Sequence, residues 1–293
     1  MRKILFNLAP KSDLGERAAK SLNAELGELE SRHFPDGELY QRVISDVSGA
    51  QVVVFADLFH PDAQLFELLS LGHTLSELGA ANRTLVSAYL PYMRQDKRFH
   101  PGESITSRHF AAHLSQAYDH LLTIDPHLHR YASLDEIYSL DGRVLSAHAA
   151  ITQYLQQLDD KLLLIGPDEE SEQWVGTIAR SANLPFQILL KHRSGDYQVE
   201  VSRPQLEPYM HHRPVLVDDI ISSGRTMLRT LEHLQQAGMQ RPLIIGVHGI
   251  FAGDAYELLK QQGEVVTCNS IPHPSNRIDL LATLVQGCKS ILT

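Results

Sequence analysis

Short apolar runs alternate with longer amphipathic stretches along this chain, and few folds accept that alternation. Apolar runs of this length, bounded by turn signals, suit strands buried on both faces. A helical stretch between successive runs supplies the crossover that parallel pairing needs. Strands are predicted at Lys3–Leu8, Val52–Ala56, Thr84–Ala88, Leu121–Asp125, Lys161–Ile165, Phe186–Leu190, Val215–Val217, Leu243–Val247 and Glu264–Cys268. Helices are predicted over Leu14–Leu26, Ala63–Leu78, Ser107–Ala117, Ala149–Leu158, Trp174–Ala182, Gly224–Ala237 and Asp254–Gln261. The fold class is α/β, with mainly parallel sheets flanked by helices.

At 293 residues the chain exceeds one small core and suits two domains. Val52–Leu90 and Pro214–Ile250 both read as strand, acidic turn, helix, small-residue end and second strand. Two readings fit: the common shape of any strand–helix–strand unit, or a duplicated nucleotide- or phosphate-binding domain. A boundary near Ser146 gives domains 1–146 and 147–293. The formal net charge of -9 argues against a general nucleic-acid binder, which needs a basic face. Acidic residues do suit magnesium–nucleotide chemistry. Cys268 and Cys288 have no metal-ligand spacing and are expected as reduced thiols. The start MRKILFNLAPKSD has too short an apolar run for a signal core, and no stretch approaches the roughly 20 apolar residues of a membrane span. A cytoplasmic protein without membrane partners is expected.

The segment richest in chemistry is Leu216–Met227, LVDDIISSGRTM. An apolar strand leads to Asp218 and Asp219, then through Ser222, Ser223, Gly224, Arg225 and Thr226 into a helix. Hydroxyls, backbone N–H groups and a helix N-terminus gathered in one turn make an anion site, and adjacent carboxylates can accept hydrogen bonds from vicinal sugar hydroxyls. The plainer reading is an N-cap serine beside a solvated acidic turn. Elsewhere, Pro35–Asp36–Gly37 is a strong turn between two strands. Arg94, Lys97 and Arg98 crowd one loop, as a polyphosphate would require or as solvated loops often do. His127 follows a strand, where sites in α/β sheets gather.

Taken in order, these segments resemble the ribose-phosphate pyrophosphokinase (phosphoribosyl pyrophosphate synthetase) family over essentially the whole chain. The resemblance implies two similar type I phosphoribosyltransferase-like domains, the first on the ATP side and the second on the ribose 5-phosphate side. FPDGELYQRV resembles the family's ATP turn, which implies ATP contacts from Phe34, Asp36, Gly37 and Glu38, supplied across a subunit interface of a homo-oligomer, dimer or larger. LPYMRQDKRFHPGESIT resembles its second ATP segment and implies contacts from Arg94 and Gln95, with Asp96 and Lys97 beside them. In TIDPHLHR the resemblance makes His127 a ligand of the Mg2+ of Mg–ATP; as an HxH pair, His127 and His129 can also be read as a zinc site. GPDEESEQWV supplies Asp168 for a ribose-side metal, while Glu170 and Ser171 replace the family's glycine pair. KHRSGDYQVEV resembles the catalytic flap and implies catalytic roles for Lys191 and Arg193, the latter also reaching ribose 5-phosphate. Asp218, Asp219, Ser222, Ser223, Gly224, Arg225 and Thr226 complete the ribose 5-phosphate site, with Ser222 and Arg225 standing where many relatives have Asp and Gly.

The implied reaction moves the pyrophosphoryl group of ATP to the anomeric hydroxyl of ribose 5-phosphate, giving AMP and 5-phosphoribosyl 1-pyrophosphate. Two alternatives are a non-catalytic regulatory relative, favoured by the altered PDEES stretch, and a type I phosphoribosyltransferase, which needs no ATP motifs.

Overall fold

The computed structural model describes residues 1–9, 11–166, 171–189, 191–193, 199–201 and 206–292, with Gln173, 191–193 and 199–201 described by their backbone alone. The chain divides into two compact units, Met1–Ser146 with Leu281–Thr293, and Ala147–Leu280.

The first unit runs β1 (Lys3–Asn7), α1 (Leu14–Leu22), β2 (Glu25–Leu26), β3 (Leu29–His33), β4 (Leu39–Val43), β5 (Gln51–Phe55), α2 (Leu65–Glu77), β6 (Asn82–Val86), α3 (Thr106–Ala117), β7 (His120–Ile124) and β8 (Asp141–Leu145). Six strands form one parallel sheet in the order β2-β1-β5-β6-β7-β8, and β3 and β4 pair antiparallel outside it. Every residue of β5 is buried, as its unbroken QVVVF run demands of a central strand covered on both faces. The core on one side joins Ile4, Phe6, Val52 and Val54 to Leu71 and Leu75 of α2 and to Phe110 and Leu114 of α3.

The second unit runs α4 (His148–Leu155), β9 (Leu162–Gly166), α5 (Glu172–Ala182), β10 (Phe186–Ile188), β11 (Lys191–Arg193), β12 (Val199–Val201), β13 (Arg213–Ile221), α6 (Arg225–Gln236), β14 (Leu243–Gly249), α7 (Ala255–Gln262), β15 (Glu264–Cys268) and β16 (Asn276–Ile278). Its sheet has the order β10-β9-β13-β14-β15-β16, again parallel, and β11 pairs antiparallel with β12 outside it. Numbered within each unit, both sheets therefore read 2-1-3-4-5-6.

Three differences from the sequence reading have local causes. The helix expected over Leu14–Leu26 stops at Leu22, because Asn23 turns left-handed (φ 50°) and caps the helix, freeing Glu25 and Leu26 to pair with Ile4 and Leu5. The strand expected at Val215–Val217 continues to Ile221, since Ile220 and Ile221 pair with His248 and Gly249; the acidic pair thus lies inside β13. The expected domain 147–293 loses its end to the first unit through α8 (Leu281–Ile291), a helix the periodicity did not reveal. Leu284, Val285, Cys288 and Ile291 of α8 are buried, and the helix packs on α1, β7 and β8. Gly287 permits the close approach: a Cβ there would stand 2.7 Å from Leu145 Cδ1 and 2.9 Å from Leu122 Cδ2. Arg143 fixes the far end by donating to Ser290 O at 3.0 Å and Ser290 Oγ at 2.9 Å.

Candidate active site

In the first unit three segments carry the expected ATP-side residues. The β3–β4 turn closes through Gly37 N–H donating to Phe34 O at 2.9 Å and Phe34 N–H donating to Glu38 O at 2.8 Å. Asp36 Oδ1 accepts from Glu38 N–H at 3.2 Å, as turn aspartates do. Gly37 is required for its φ of 94°, not for space, since nothing lies within 4 Å of a Cβ built there. Phe34 remains 40% exposed although its ring meets Tyr40 edge-on at 5.8 Å and the Arg32 guanidinium lies 5.0 Å from its centre. An exposed aromatic held by a cation on a rigid turn is a ready stacking surface for a base.

The second segment leaves β6. Arg94, Lys97 and Arg98 are exposed, Gln95 is half-buried and Asp96 is buried. Lys97 Nζ lies 5.0 Å from the Phe99 ring centre. Phe99 and His100 N–H groups donate to Glu103 Oε2 at 2.7 Å and 3.0 Å, which closes the loop before α3. The third segment follows β7, where Asp125 adopts φ 37° and turns the chain so that His127 sits half-buried beyond the strand end. The His127 and His129 rings lie 3.5 Å apart and tilted by 30°.

In the second unit the site is built on β13 and α6. Asp218 Oδ1 accepts from Asp219 N–H at 3.0 Å, and Asp219 Oδ1 accepts from Ile220 N–H at 2.7 Å, so each carboxylate keeps one oxygen on the backbone. Gly224 enters α6 with φ 66° and its helix start has no side-chain cap, which leaves the first-turn N–H groups for an anion. Ser223 and Arg225 are exposed while Ser222 and Thr226 are half-buried around that start. The segment after β14 braces the turn, with Ala252 N–H donating to Ser222 O at 3.1 Å and Phe251 N–H to Ile221 O at 3.0 Å.

Asp168 and Glu170 lie outside the described residues. Ser171, the second replacement of the glycine pair, is buried, with Oγ against Gly166 where any Cβ would collide with it. Its side chain therefore packs inward beneath the end of β9. Lys191 and Arg193 open the β11–β12 ribbon, opposite Val201 and Val199.

The structure brings together Phe34, Asp36, Gly37 and Glu38 in one turn, and Asp218 through Thr226 in another. The sequence reading missed the partners of Asp96. Arg130 Nε donates to its carboxylate at 3.2 Å and the Tyr131 hydroxyl donates to its backbone oxygen at 3.0 Å. It also missed Asp57, after β5, whose carboxyl is raised above the ordinary carboxylate range by burial although Phe59 N–H, Lys11 and His60 oppose the shift.

A family model described as the N-terminal domain of ribose phosphate pyrophosphokinase matches residues 3–117, and one described as a phosphoribosyl transferase domain matches residues 135–279. The chain is 30% identical to a ribose-phosphate pyrophosphokinase of Pyrococcus abyssi over 91% of this chain and 92% of that one. It is 28% identical to the ribose-phosphate pyrophosphokinase of Methanopyrus kandleri over 95% and 96%. The crystal structure of phosphoribosylpyrophosphate synthetase from Mycobacterium smegmatis shares the fold, with a TM-score of 0.85 and 23% identity over 99% of both chains. Matched in both halves and nearly end to end, the chain belongs to the ribose-phosphate pyrophosphokinase family.

Proposed function

We propose that this protein transfers the pyrophosphoryl group of ATP to the anomeric hydroxyl of ribose 5-phosphate, releasing AMP. The observation that carries the reading is the β13–α6 turn: two carboxylates, then an uncapped helix start entered through a left-handed glycine. The Asp218 and Asp219 carboxylates accept from the ribose hydroxyls, and the N–H groups and hydroxyls from Ser222 to Thr226 grip the 5-phosphate. Phe34 stacks on adenine, with Asp36, Gly37 and Glu38 at the base and ribose, and Arg94 and Gln95 take the polyphosphate. Lys191 and Arg193 bring positive charge to the transferring group, where positioning and charge neutralisation do most of the catalytic work.

A half-buried imidazole beyond a strand end fits magnesium, because that ion keeps several waters and takes most of its remaining ligands from substrate phosphates. His127 would hold the magnesium of Mg–ATP and Asp168 a separate ribose-side metal, and each ion, when bound, would supply charge neutralisation on the phosphates. The exposed Phe34 turn is read as serving the ATP site of a second copy, in a homo-oligomer of at least two chains. No helix among the described residues is long and apolar enough to cross a membrane. Cys268 and Cys288 are buried and not disulfide-bonded, and from that cysteine usage we read a reducing, cytoplasmic site of action.

Incubation with ATP, ribose 5-phosphate and magnesium is expected to release AMP and 5-phosphoribosyl 1-pyrophosphate in equal amounts. Binding of ATP without AMP release would instead identify a regulatory relative.

A further inference from the structure

The loop that carries Arg94 and Gln95 is tied to two other parts of the first unit. At the start of α3, Thr106 Oγ1 donates to Gln95 Oε1 at 2.9 Å, and Ser107 Oγ donates to Gln95 O at 3.1 Å. With its oxygen engaged, the Gln95 amide has its N–H groups left to offer a ligand. From the segment after His127, Arg130 pairs with Asp96 at 3.2 Å, and the Tyr131 hydroxyl donates to Asp96 O at 3.0 Å while accepting from Arg108 Nε at 3.4 Å. Asp96 is only 7% exposed and Tyr131 8%, so the carboxylate and the phenol are buried while the Arg130 side chain reaches them from the solvent side. A buried carboxylate without its cation is costly, and so the pairing fixes one loop position relative to the other.

We infer that Asp96, Arg130 and Tyr131 form a latch that positions the Arg94–Gln95 loop against the His127 loop, making Arg130 and Tyr131 positioning residues for Mg–ATP. The inference rests on the ATP-site reading above. Neither residue needs to touch nucleotide. Both act by holding two ligand-bearing loops in one register, so disturbing the latch displaces the polyphosphate contacts and the metal-binding imidazole together. The ribose 5-phosphate turn, built on β13 and α6, has no part in it.

The test compares the parent with Tyr131→Phe, Arg130→Gln and Arg130→Lys. Each is assayed for AMP release with ATP or ribose 5-phosphate varied, and for equilibrium binding of Mg–ATP. Arg130 is half exposed, so its variants are expected to fold. The KM for ATP and the dissociation constant of Mg–ATP should rise about tenfold in Tyr131→Phe and Arg130→Gln, the size of one lost charge-assisted or buried hydrogen bond. The magnesium concentration for half-maximal rate should rise with them. The KM for ribose 5-phosphate should stay put, and Arg130→Lys should recover part of the loss. Unchanged Mg–ATP binding in both variants overturns the latch, as does an equal rise in both KM values. Should the parent release no AMP, the proposed function fails while the binding titration still decides the latch.

Discussion

The two units share a scaffold and differ in the loops they hang on it. Pairing registers align β1·β5 with β9·β13, so that Asp57, six residues beyond Gln51, occupies the place of Asp219, six beyond Arg213. Asn23 and Asn183 cap corresponding helices in the left-handed region, at φ 50° and 55°. Tyr92 and Phe251, at matching places after β6 and β14, are left-handed too, at φ 64° and 49°. Such positions are rare for bulky residues, and their recurrence in equivalent places favours duplication over a shared general shape. After the third sheet strand the units part. The first unit fills the turn with Leu58, buried to 1%, and with a one-turn 3-10 helix at Pro61–Ala63 before α2. The second leaves the start of α6 open behind Gly224. After the fourth strand the relation reverses. The first unit carries the long cationic loop of Arg94 to Arg98, and the second has only the short brace at Ile250–Asp254. One scaffold thus carries a cationic loop in one copy and an acidic, hydroxyl-bearing turn in the other, which the proposed function assigns to polyphosphate and sugar phosphate.

The sharpest way to break this division is through the ribbons outside the sheets, β3–β4 and β11–β12. If the second unit's ribbon supplies chemistry, Lys191→Ala should lower turnover by about 10²–10³, the usual loss for one donor that stabilises developing charge. Ribose 5-phosphate affinity measured by calorimetry should barely change. Unaltered turnover removes Lys191 from the mechanism. The next largest effect tests the exchange of the C-terminal helix. Leu284→Ala should cost about 2–4 kcal/mol in the unfolding of the first unit, as large-to-small changes in packed cores do. Denaturant unfolding followed by hydrogen exchange should place the loss in 1–146 and leave 147–280 protected. Equal loss in both would mean that α8 does not belong to the first unit alone.

Much of this was readable in the residues. Every strand expected from an apolar run of the central sheets appears within a few residues of its place, because strands buried on both faces advertise themselves by composition. Three edge strands did not, although the edge strand β10 was expected in place. Glu25–Leu26, Asp141–Leu145 and Asn276–Ile278 owe their strand state to a neighbour's backbone rather than to their own side chains. The helix α8 was missed because its buried face is made partly by Gly287 and Cys288, where small size and not hydrophobic period sets the contact. At the site, the Asp218–Thr226 segment was legible because its signals are local and consecutive. The partners of Asp96 were not, since Arg130 and Tyr131 lie more than thirty positions away and only the folded loops bring them together.

A smaller effect separates the paired aspartates. Asp219→Asn should raise the KM for ribose 5-phosphate about tenfold by weakening one charged hydrogen bond to a hydroxyl, while Asp57→Asn should leave it alone. Equal rises in both would mean that the first unit also holds the sugar, and the division of labour would be wrong.

The smallest expected effect concerns stability at that same Asp57. Burial raises its folded-state carboxyl above its ordinary value, so the folded protein holds this proton more tightly than the unfolded chain does. Its favourable contribution is therefore complete in acid and is lost as pH rises through the carboxylate range, leaving an unfavourable half-buried charge at neutral pH. Asparagine keeps the acceptor that takes Phe59 N–H at 3.1 Å and carries no charge. Asp57→Asn should thus melt above the parent at pH 7, by a margin that shrinks as pH falls into the carboxylate range. A variant that melts lower at pH 7 would show that Lys11 and His60 outweigh burial. The loop after β5 would then be an occupied charge site, much closer to its counterpart after β13 than its apolar filling implies.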